Sequence, residues 1–373
     1  MEKQASGLFV ASTGQHVGKT TTCLGLFSAL EKQYSQIGFI KPVGQEHVQL
    51  NDEGPVDKDV LVFRSRFNLD HEGVTMSPVL FPRGFTRRYL DGEIATEPLE
   101  QRIKDAFEKL RGNSRWVLAE GTGHVGVGSV TNLNNARVAA LLGLPTVLIA
   151  SGGVGSAFDM LALNKCMFDR HGVPLVGVIL NRVRSDKRDM MIEYVGKALK
   201  RWDVPLLGAV PVDELLGNPC MNDFEELFGV ELMTGREQRY RHFDQIRLIA
   251  TTIEEHEQLM TPRQLTITPA TREDIIASTL SKLRKDRHGS VQRLMEPGLI
   301  LTGAYRPSTK IVEELADAEV PMLYVSTNSF TAMQMISSYT AKIDAEDTQK
   351  LNRAIEIVEA NVDFELLLDR LGA

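Results

Sequence analysis

Short apolar runs alternate along the chain with longer stretches whose apolar residues recur at helical spacing. Each apolar run is nearly continuous, which is typical of a strand buried on both faces of a parallel sheet. The predicted strands of the first two thirds are 8–12, 37–43, 116–120, 146–151, 175–183 and 207–210. The predicted helices between them are 19–32, 97–111, 134–142, 156–170 and 187–201. This order predicts an α/β fold with a doubly wound, mostly parallel sheet.

The rhythm breaks over residues 211–241, where Gly217-Asn218-Pro219 precedes an acidic stretch at 223–226. Such punctuation is typical of a loop, so we expect a domain boundary there. The predicted strands after it are 265–268, 299–302 and 322–326, with helices over 272–285, 309–318, from 329 onward and over 344–360. The sequence therefore predicts two domains, one over residues 1–215 and a smaller α/β domain over residues 216–373.

Composition and charge narrow the class of protein. Of the 373 residues, 43% are hydrophobic and 24% are charged, which is ordinary for a folded globular chain and excludes disorder. The formal net charge of −7 argues against a nucleic-acid partner and against an anionic membrane surface. The N-terminal residues lack a signal-peptide pattern and no run of about 18 apolar residues occurs. We therefore expect no membrane span and a cytoplasmic location.

The three cysteines, Cys23, Cys166 and Cys220, are far apart and form no CxxC motif. An odd, scattered set predicts neither a disulfide framework nor a zinc site of the cysteine type. Cys23 and Cys166 lie in apolar helical runs, where we expect small buried side chains.

The segment between the first strand and the first helix carries the clearest chemical signal. It consists of Ser12-Thr13-Gly14-Gln15-His16-Val17-Gly18-Lys19-Thr20-Thr21. Glycines in such a loop let backbone amides converge on phosphate oxygens, and the helix N-terminus adds partial positive charge. Lys19 can then reach the β- and γ-phosphates, and the Thr20 hydroxyl can bind Mg²⁺. Thr13 stands where the common GxxxxGK[ST] spacing has glycine, so a Gly-Lys-Thr that only opens a helix is the alternative.

A second glycine-rich segment follows the predicted strand at 116–120. Gly121-Thr122-Gly123-His124-Val125-Gly126 matches the GxGxxG pattern of dinucleotide-binding folds. Those folds need a helix directly after the pattern and an acidic residue about 20 residues further on. Here the loop continues through Val127-Gly128-Ser129, and the next strand ends in Ser151-Gly152-Gly153. We therefore expect no NAD or FAD site.

Three further segments lie at the ends of predicted strands and combine with the phosphate loop. They are Phe39-Ile40-Lys41-Pro42-Val43, Leu118-Ala119-Glu120-Gly121-Thr122-Gly123 and Val178-Ile179-Leu180-Asn181-Arg182-Val183. Together these segments resemble the dethiobiotin synthetase-like P-loop family, which includes the cobyrinic acid a,c-diamide synthases. That family uses a phosphate loop one residue longer than the common form. The resemblance covers roughly residues 7–212 and implies a sheet of the P-loop NTPase type.

The resemblance also implies a role for individual residues and the cofactors ATP and Mg²⁺. The residues that would bind ATP are Thr13, Gly14, Gln15, His16, Val17, Gly18, Lys19, Thr20, Thr21 and Asn181. Among them, Asn181 would read the adenine edge. Lys19 and Lys41 would be catalytic, with Lys41 neutralising a carbamate or carboxylate nucleophile. Mg²⁺ would be held by Thr20, Asp59 and Glu120, with Asp57 as the alternative to Asp59, and oxygen ligands of this kind suit a hard cation.

The C-terminal part resembles a DRTGG domain. The resemblance rests on Leu265-Thr266-Ile267-Thr268-Pro269, on Thr271-Arg272-Glu273-Asp274 and on Leu299-Ile300-Leu301-Thr302-Gly303-Ala304. A dethiobiotin synthetase-like domain followed by a DRTGG domain resembles the N-terminal region of long bacterial phosphotransacetylases. The acetyl-transferring domain of those enzymes would follow, whereas this sequence ends at Ala373. We therefore expect a free-standing version of that region, without the acetyltransferase domain.

The reaction implied by the resemblance is ATP-dependent phosphoryl transfer to a small carboxylate or carbamate, with a ligase-like course and an unknown acceptor. Dethiobiotin synthesis itself is not expected, because Ser12, Gly14 and His16 depart from the loop of those synthetases. The alternative is a non-catalytic or weakly hydrolytic module that senses a nucleotide or metabolite and acts through the DRTGG domain. Related P-loop proteins pair two subunits, so we expect a homodimer.

Overall fold

The computed structural model describes residues 7–34, 36–50, 52–287 and 295–372. The strands, in chain order, are β1 Gly7–Ser12, β2 Ile37–Ile40, β3 Val43–Gly44, β4 His47–Leu50, β5 Gly54–Asp57, β6 Val79–Leu80, β7 Trp116–Glu120, β8 Thr146–Ala150, β9 Leu175–Val183, β10 Leu206–Pro211, β11 Gln245–Leu248, β12 Gln264–Pro269, β13 Gly298–Thr302 and β14 Met322–Val325. The helices are α1 Lys19–Glu31, α2 Lys58–Phe67, α3 Gly73–Met76, α4 Phe85–Leu90, α5 Thr96–Asn113, α6 Asn135–Leu142, α7 Val154–Arg170, α8 Arg188–Leu199, α9 Glu214–Gly217, α10 Met221–Phe228, α11 Ile253–Leu259, α12 Glu273–Arg287, α13 Thr309–Asp317, α14 Ser329–Ser338, α15 Thr348–Glu359 and α16 Phe364–Leu371.

The chain folds into two compact units. The first consists of Met1–Asp213 together with Ile343–Ala373, and the second is Glu214–Lys342. The predicted second domain of residues 216–373 differs from these units over residues 343–373, because α15 and α16 pack against elements of the first unit.

The sheet of the first unit has the strand order β10-β9-β8-β1-β7-β2, and all of its strands run parallel. Strand β1 lies between β7 and β8. Strands β7 and β2 extend the sheet on one side of β1, and strands β8, β9 and β10 extend it on the other. In a doubly wound sheet this switch point opens a crevice at the carboxyl ends of the strands, where ligands bind. The predicted α/β fold with a mostly parallel sheet is confirmed, and the segment after β1 lies at this crevice.

The second strand is shorter than predicted. Strand β2 ends at Ile40 instead of Val43, because the Lys41 amide leaves the ladder and donates to the Met76 carbonyl at 2.7 Å. Val43 then pairs with Val79 in the separate short sheet of β3 and β6. This departure turns Lys41 away from the strand at the carboxyl edge of the sheet.

The C-terminal helix α15 lies against α1, the helix that follows the phosphate loop. A Cβ at Gly25 would come within 2.3 Å of the Val358 Cβ, so glycine permits this close approach. The Ser28 hydroxyl donates to Glu359 at 2.8 Å, and Arg353 pairs with Asp213 at 2.7 Å. The apolar stripe of α15 therefore finds its partner in the first unit.

The second unit is built on a four-stranded parallel sheet with the order β11-β12-β13-β14. One cluster of buried side chains includes Leu299 and Leu315, and another includes Phe224 and Leu323. Phe224 belongs to α10, so the acidic stretch that marked the expected boundary is a helix with a buried apolar face.

One cysteine differs from its expected burial. Cys23 is buried, as expected, whereas Cys166 is exposed. Helix α7 buries Leu161 and Phe168 within the first unit, whereas Cys166 lies on the solvent-exposed face of the same helix. Among the residues described above, no helix combines the length and apolar character needed to cross a bilayer.

Candidate functional site

The loop between β1 and α1 is shaped to present backbone amides. Its start is anchored where the Thr13 amide donates to the Ile149 carbonyl of β8 at 2.9 Å. Gly18 precedes α1 with a φ of 87°, a left-handed conformation that favours glycine, and no side chain caps the helix. The amides of Gly18, Lys19 and Thr20 donate no hydrogen bond within the described part of the chain. A helix start with free amides and no acidic residue in its first turn has the features of an anion-binding site.

The side chain of Lys19 lies across this loop. Its ammonium group donates to the Ser12 hydroxyl at 2.9 Å and to the Gly123 carbonyl at 2.7 Å. Burial, followed by the positive charge of Lys41, lowers the pKa of Lys19 to about 8. Both hydrogen-bond partners are uncharged, so the positive charge remains available for a phosphate.

Thr20 is brought together with two carboxylates from distant parts of the chain. Its hydroxyl lies 3.3 Å from Asp59 Oδ1, in the first turn of α2, and 3.1 Å from Glu120 Oε1, at the end of β7. Glu120 is fully buried, and desolvation raises its pKa. The Asp59 side chain keeps 29% of its surface exposed.

Lys41 joins this cluster from the turn after β2. Its ammonium group forms a short contact with Asp59 and lies 2.8 Å from Glu120 Oε1. Burial alone would lower the pKa of Lys41, but the charges of Asp59 and Glu120 outweigh it and raise that pKa well above its ordinary value. Burial alone would raise the pKa of Asp59, but the positive charge of Lys41 outweighs it and lowers that pKa. We name Thr20, Lys41, Asp59 and Glu120 the carboxylate cluster.

Three members of the carboxylate cluster, namely Thr20, Asp59 and Glu120, carry oxygen atoms of the kind that Mg²⁺ prefers as ligands. Neighbouring ligands of an octahedral Mg²⁺, each at about 2.1 Å, lie about 3 Å apart, close to the distances from Thr20 to Asp59 and Glu120. Glu120 Oε2 is buried and has no hydrogen-bond partner. The described residues contain no group of three or more His, Cys, Asp and Glu side chains that could hold a metal by themselves. A bound ion would therefore need Thr20 and ligand oxygens.

Asp57 and Asp59 take different positions. Asp57 caps α2, because its Oδ1 accepts a hydrogen bond from the Asp59 amide at 3.0 Å. Its own amide donates to the Ser77 hydroxyl. Burial raises the pKa of Asp57 to about 7. Of the two aspartates, Asp59 is the one that the structure brings to Thr20.

Asn181, at the end of β9, contacts the phosphate loop directly. Its Nδ2 donates to the Val17 carbonyl at 2.7 Å, and its Oδ1 accepts from the Arg182 amide at 2.9 Å. Only 4% of the residue is exposed. Gln15 and His16, by contrast, are exposed at the loop tip, and Thr21 is partly buried in the first turn of α1.

Sequence reasoning missed the residues that hold the glycine-rich loop 121–128. Asn135 accepts from the Thr122 amide at 3.0 Å and donates to the Thr122 and His124 carbonyls, both at 2.9 Å. Asn164 accepts from the Val125 amide at 3.2 Å. These contacts fix the loop whose Gly123 carbonyl receives Lys19. The signal that could have found Asn135 is the Asn-Asn pair at the start of α6, where Asn134 caps the helix and the side chain of Asn135, the first helical residue, contacts the glycine-rich loop.

Two family models match the chain. Residues 6–220 match the model of the AAA domain family AAA_26, and residues 225–339 match the model of the DRTGG domain. The chain belongs to the AAA_26 family, and its first unit is a P-loop nucleotide-binding domain. The expected combination of a dethiobiotin synthetase-like P-loop domain with a DRTGG domain is confirmed.

The curated relatives include proteins of two kinds. A phosphate acetyltransferase of Nitratidesulfovibrio vulgaris is 24% identical over 379 residues, which cover 98% of this chain and 52% of that protein. An ATP-dependent dethiobiotin synthetase of Nitrosopumilus maritimus is 24% identical over 221 residues, which cover 58% of this chain and 92% of that protein. The chain thus spans about half the length of the phosphate acetyltransferase that it matches.

Among solved structures, the cell-division protein MinD of Pyrococcus horikoshii, in complex with Mg-ADP, is similar to this chain. The likeness has 18% sequence identity and a TM-score of 0.37, and it covers 56% of this chain and 82% of that one.

Proposed function

We propose that the first unit binds MgATP and transfers the γ-phosphoryl group to an oxygen of a small carboxylate or carbamate. The observation that carries this proposal is the buried ammonium group of Lys41, which contacts Asp59 and Glu120. A loop that only binds a nucleotide needs Lys19 and its amides. A second buried cation beside Glu120 is suited to an anionic acceptor.

The residues divide the work of binding between them. The amides of residues 14–20 and the Lys19 ammonium group bind the phosphates. Thr20, Asp59 and Glu120 would hold Mg²⁺, which when bound neutralises charge on the phosphates. The pairing of Lys19 with the uncharged Ser12 and Gly123 leaves its charge free to move to a phosphate oxygen.

Lys41 would position the acceptor. Once its ammonium group turns from Asp59 toward the acceptor, it reduces the repulsion between two anions that must approach each other. The acceptor oxygen then attacks the γ-phosphorus, the bond to the ADP oxygen breaks, and an acyl phosphate and ADP result. Catalysis would consist of positioning and charge neutralisation, since phosphoryl transfer asks little covalent chemistry of the protein.

A screen for ADP release tests this function. Wild-type protein with MgATP is expected to release ADP faster with at least one member of a panel of small carboxylic acids, with and without bicarbonate and an amine to form carbamates. Lys41→Gln should lose that stimulation while still binding MgATP. Lys32→Gln, an exposed lysine at the far end of α1, is the matched control. No stimulation by any member of the panel would refute the transfer.

A second candidate is a nucleotide-responsive regulatory module without turnover. The observation that favours it is the pairing of Lys41 with Asp59 and Glu120, because a lysine whose charge is already matched does not need an anionic acceptor. In this case MgATP binds tightly, no acceptor stimulates ADP release, and the DRTGG domain transmits the state to a partner. Isothermal titration with MgATP, followed by the same screen, separates the two candidates.

We also propose that the protein forms a homodimer in the cytoplasm. The support is the pairing of subunits in related P-loop proteins. Light scattering with and without MgATP measures the mass directly, and a mass of about 41.5 kDa under both conditions would contradict the dimer.

A further inference from the structure

The contact between Asn181 and the phosphate loop points to a role that does not involve the base. Asn181 Nδ2 lies 2.7 Å from the Val17 carbonyl oxygen, and the side chain is almost entirely buried. The second polar atom of the amide, Oδ1, is held by the Arg182 amide. Both polar atoms of the side chain are therefore held by the protein itself.

The peptide group between Val17 and Gly18 is what this contact orients. A trans peptide is planar, so its carbonyl and its N–H point in opposite directions. The Val17 carbonyl points to Asn181, and the Gly18 N–H consequently points away from it. That N–H donates to no group in the described chain. It belongs to the row of free amides at the start of α1.

The conformation of Gly18 depends on the same contact. Its φ of 87° lies in the left-handed region, and a Cβ at this position would come within 2.2 Å of Asn181 Nδ2. Glycine is thus required both by its backbone angle and by the asparagine packed against it. The loop and the end of β9 form one fitted unit.

We propose that Asn181 is a positioning residue, which locks the Val17–Gly18 peptide so that the Gly18 amide is presented to the polyphosphate of the ligand. This role rests on nucleotide binding at the loop and is independent of phosphoryl transfer. It differs from reading the adenine edge, because it serves any ligand that carries a polyphosphate, with or without a base.

Binding of ligands with and without a base tests the proposal. Isothermal titration in the presence of Mg²⁺ would use ATP, GTP and inorganic tripolyphosphate. Asn181→Ala is expected to weaken all three by a similar factor of about ten, the cost of one lost buried hydrogen bond that orients a donor. Loss of ATP binding with unchanged tripolyphosphate binding would overturn the proposal and assign Asn181 to the base.

Two further variants keep the test decisive. Asn181→Leu keeps a similar side-chain volume and adds no charge but removes the donor to the Val17 carbonyl, and it takes the place of the alanine variant if that variant does not fold. Asn134→Ala is the matched control, because Asn134 is a buried asparagine that caps α6 through the Arg137 amide. It should lower stability without changing tripolyphosphate binding. Wild-type protein that binds neither ATP nor tripolyphosphate would refute nucleotide binding itself.

Discussion

The carboxyl edges of the two parallel sheets use polar residues in opposite ways. In the first unit, the edge holds buried charges, with Lys41 between Asp59 and Glu120. In the second unit, the corresponding buried positions carry neutral hydroxyls, and the Thr302 and Ser329 hydroxyls lie 2.6 Å apart. The charges of the second edge are exposed instead, as in the pair of Arg272 with Asp274.

This difference indicates where charge chemistry is expected. Burying a charge costs free energy unless it is paired, and even a paired buried charge rarely adds stability. The hydroxyls of the second unit satisfy one another at little cost. The buried charges of the first unit are therefore better explained by a charged ligand than by stability. We therefore expect charge chemistry at the edge of the first sheet and not at the edge of the second.

The largest expected effect follows from removing the cation of the carboxylate cluster. Lys41→Met leaves the buried Glu120 and its neighbour Asp59 without the cation that contacts both of them, and we expect the free energy of unfolding to fall by about 3–5 kcal/mol. Urea denaturation measures the change. The control Lys32→Met removes an exposed partner of Glu359 and should cost less than about 1 kcal/mol. A loss at Lys41 no larger than the control would mean that the buried charges are not coupled.

The next effect concerns the ligand. Lys19→Ala is expected to weaken MgATP binding by at least about 100-fold, or roughly 2.7 kcal/mol, because a charge-assisted contact to phosphate is lost. Isothermal titration gives the affinity. Arg272→Ala, at the edge of the other sheet, should leave it unchanged. A change below threefold at Lys19 would remove the distinction between the two edges.

A smaller effect is expected from pH in the second unit. His256 is buried with its Nε2 3.2 Å from the Thr279 hydroxyl, and burial, followed by the charge of Lys282, lowers its pKa below the ordinary 6.5. As the pH falls below 6.5, His256 becomes protonated in the unfolded chain more readily than in the folded chain. The free energy of unfolding is therefore highest above pH 6.5 and decreases as the pH falls below it.

Hydrogen exchange of the α12 amides at pH 7.5 and pH 5, corrected for the intrinsic effect of pH, measures this loss locally. His256→Gln cannot titrate and should remove the difference. Equal protection of wild-type α12 at both pH values would show that His256 is not a buried neutral group.

The smallest effect is expected at the exposed pair of the second edge. The Arg272 guanidinium lies 2.8 Å from Asp274, with 31% and 39% of the side chains exposed. Such surface pairs contribute little, so Arg272→Ala should change the free energy of unfolding by less than about 0.5 kcal/mol. Thermal unfolding detects a larger loss, which would show that the second edge also depends on charge.

Much of the first unit could be predicted from the sequence because its signals are local. The continuous apolar runs locate the strands of the large sheet, and the α/β fold follows from their alternation with helices. Lys19 and Thr20 stand beside a strand in one short motif, and Glu120 stands at the end of another strand. Parallel strands bring such ends to one edge, so their proximity follows from the fold class.

Other features depend on distant contacts and could not be predicted. The choice between Asp57 and Asp59 depends on the antiparallel pairing of β4 with β5, which leads the chain into α2 with Asp57 as its cap. The apolar stripe of α15 was visible, but the sequence does not say that Gly25 leaves room for it on α1. Cys166 lies in an apolar run whose exposed face is set by the neighbours of α7.

The return of α15 to α1 makes the second unit an insertion in the first. A fragment that stops near residue 215 would strip α1 of its outer neighbour and expose Gly25 and Ser28, so we expect it to be insoluble or unstable. Excision of Glu214–Lys342, with Asp213 joined to Ile343 by a short linker, keeps that neighbour in place. Asp213, the last residue before the excised segment, already lies beside α15, because it pairs with Arg353 of that helix.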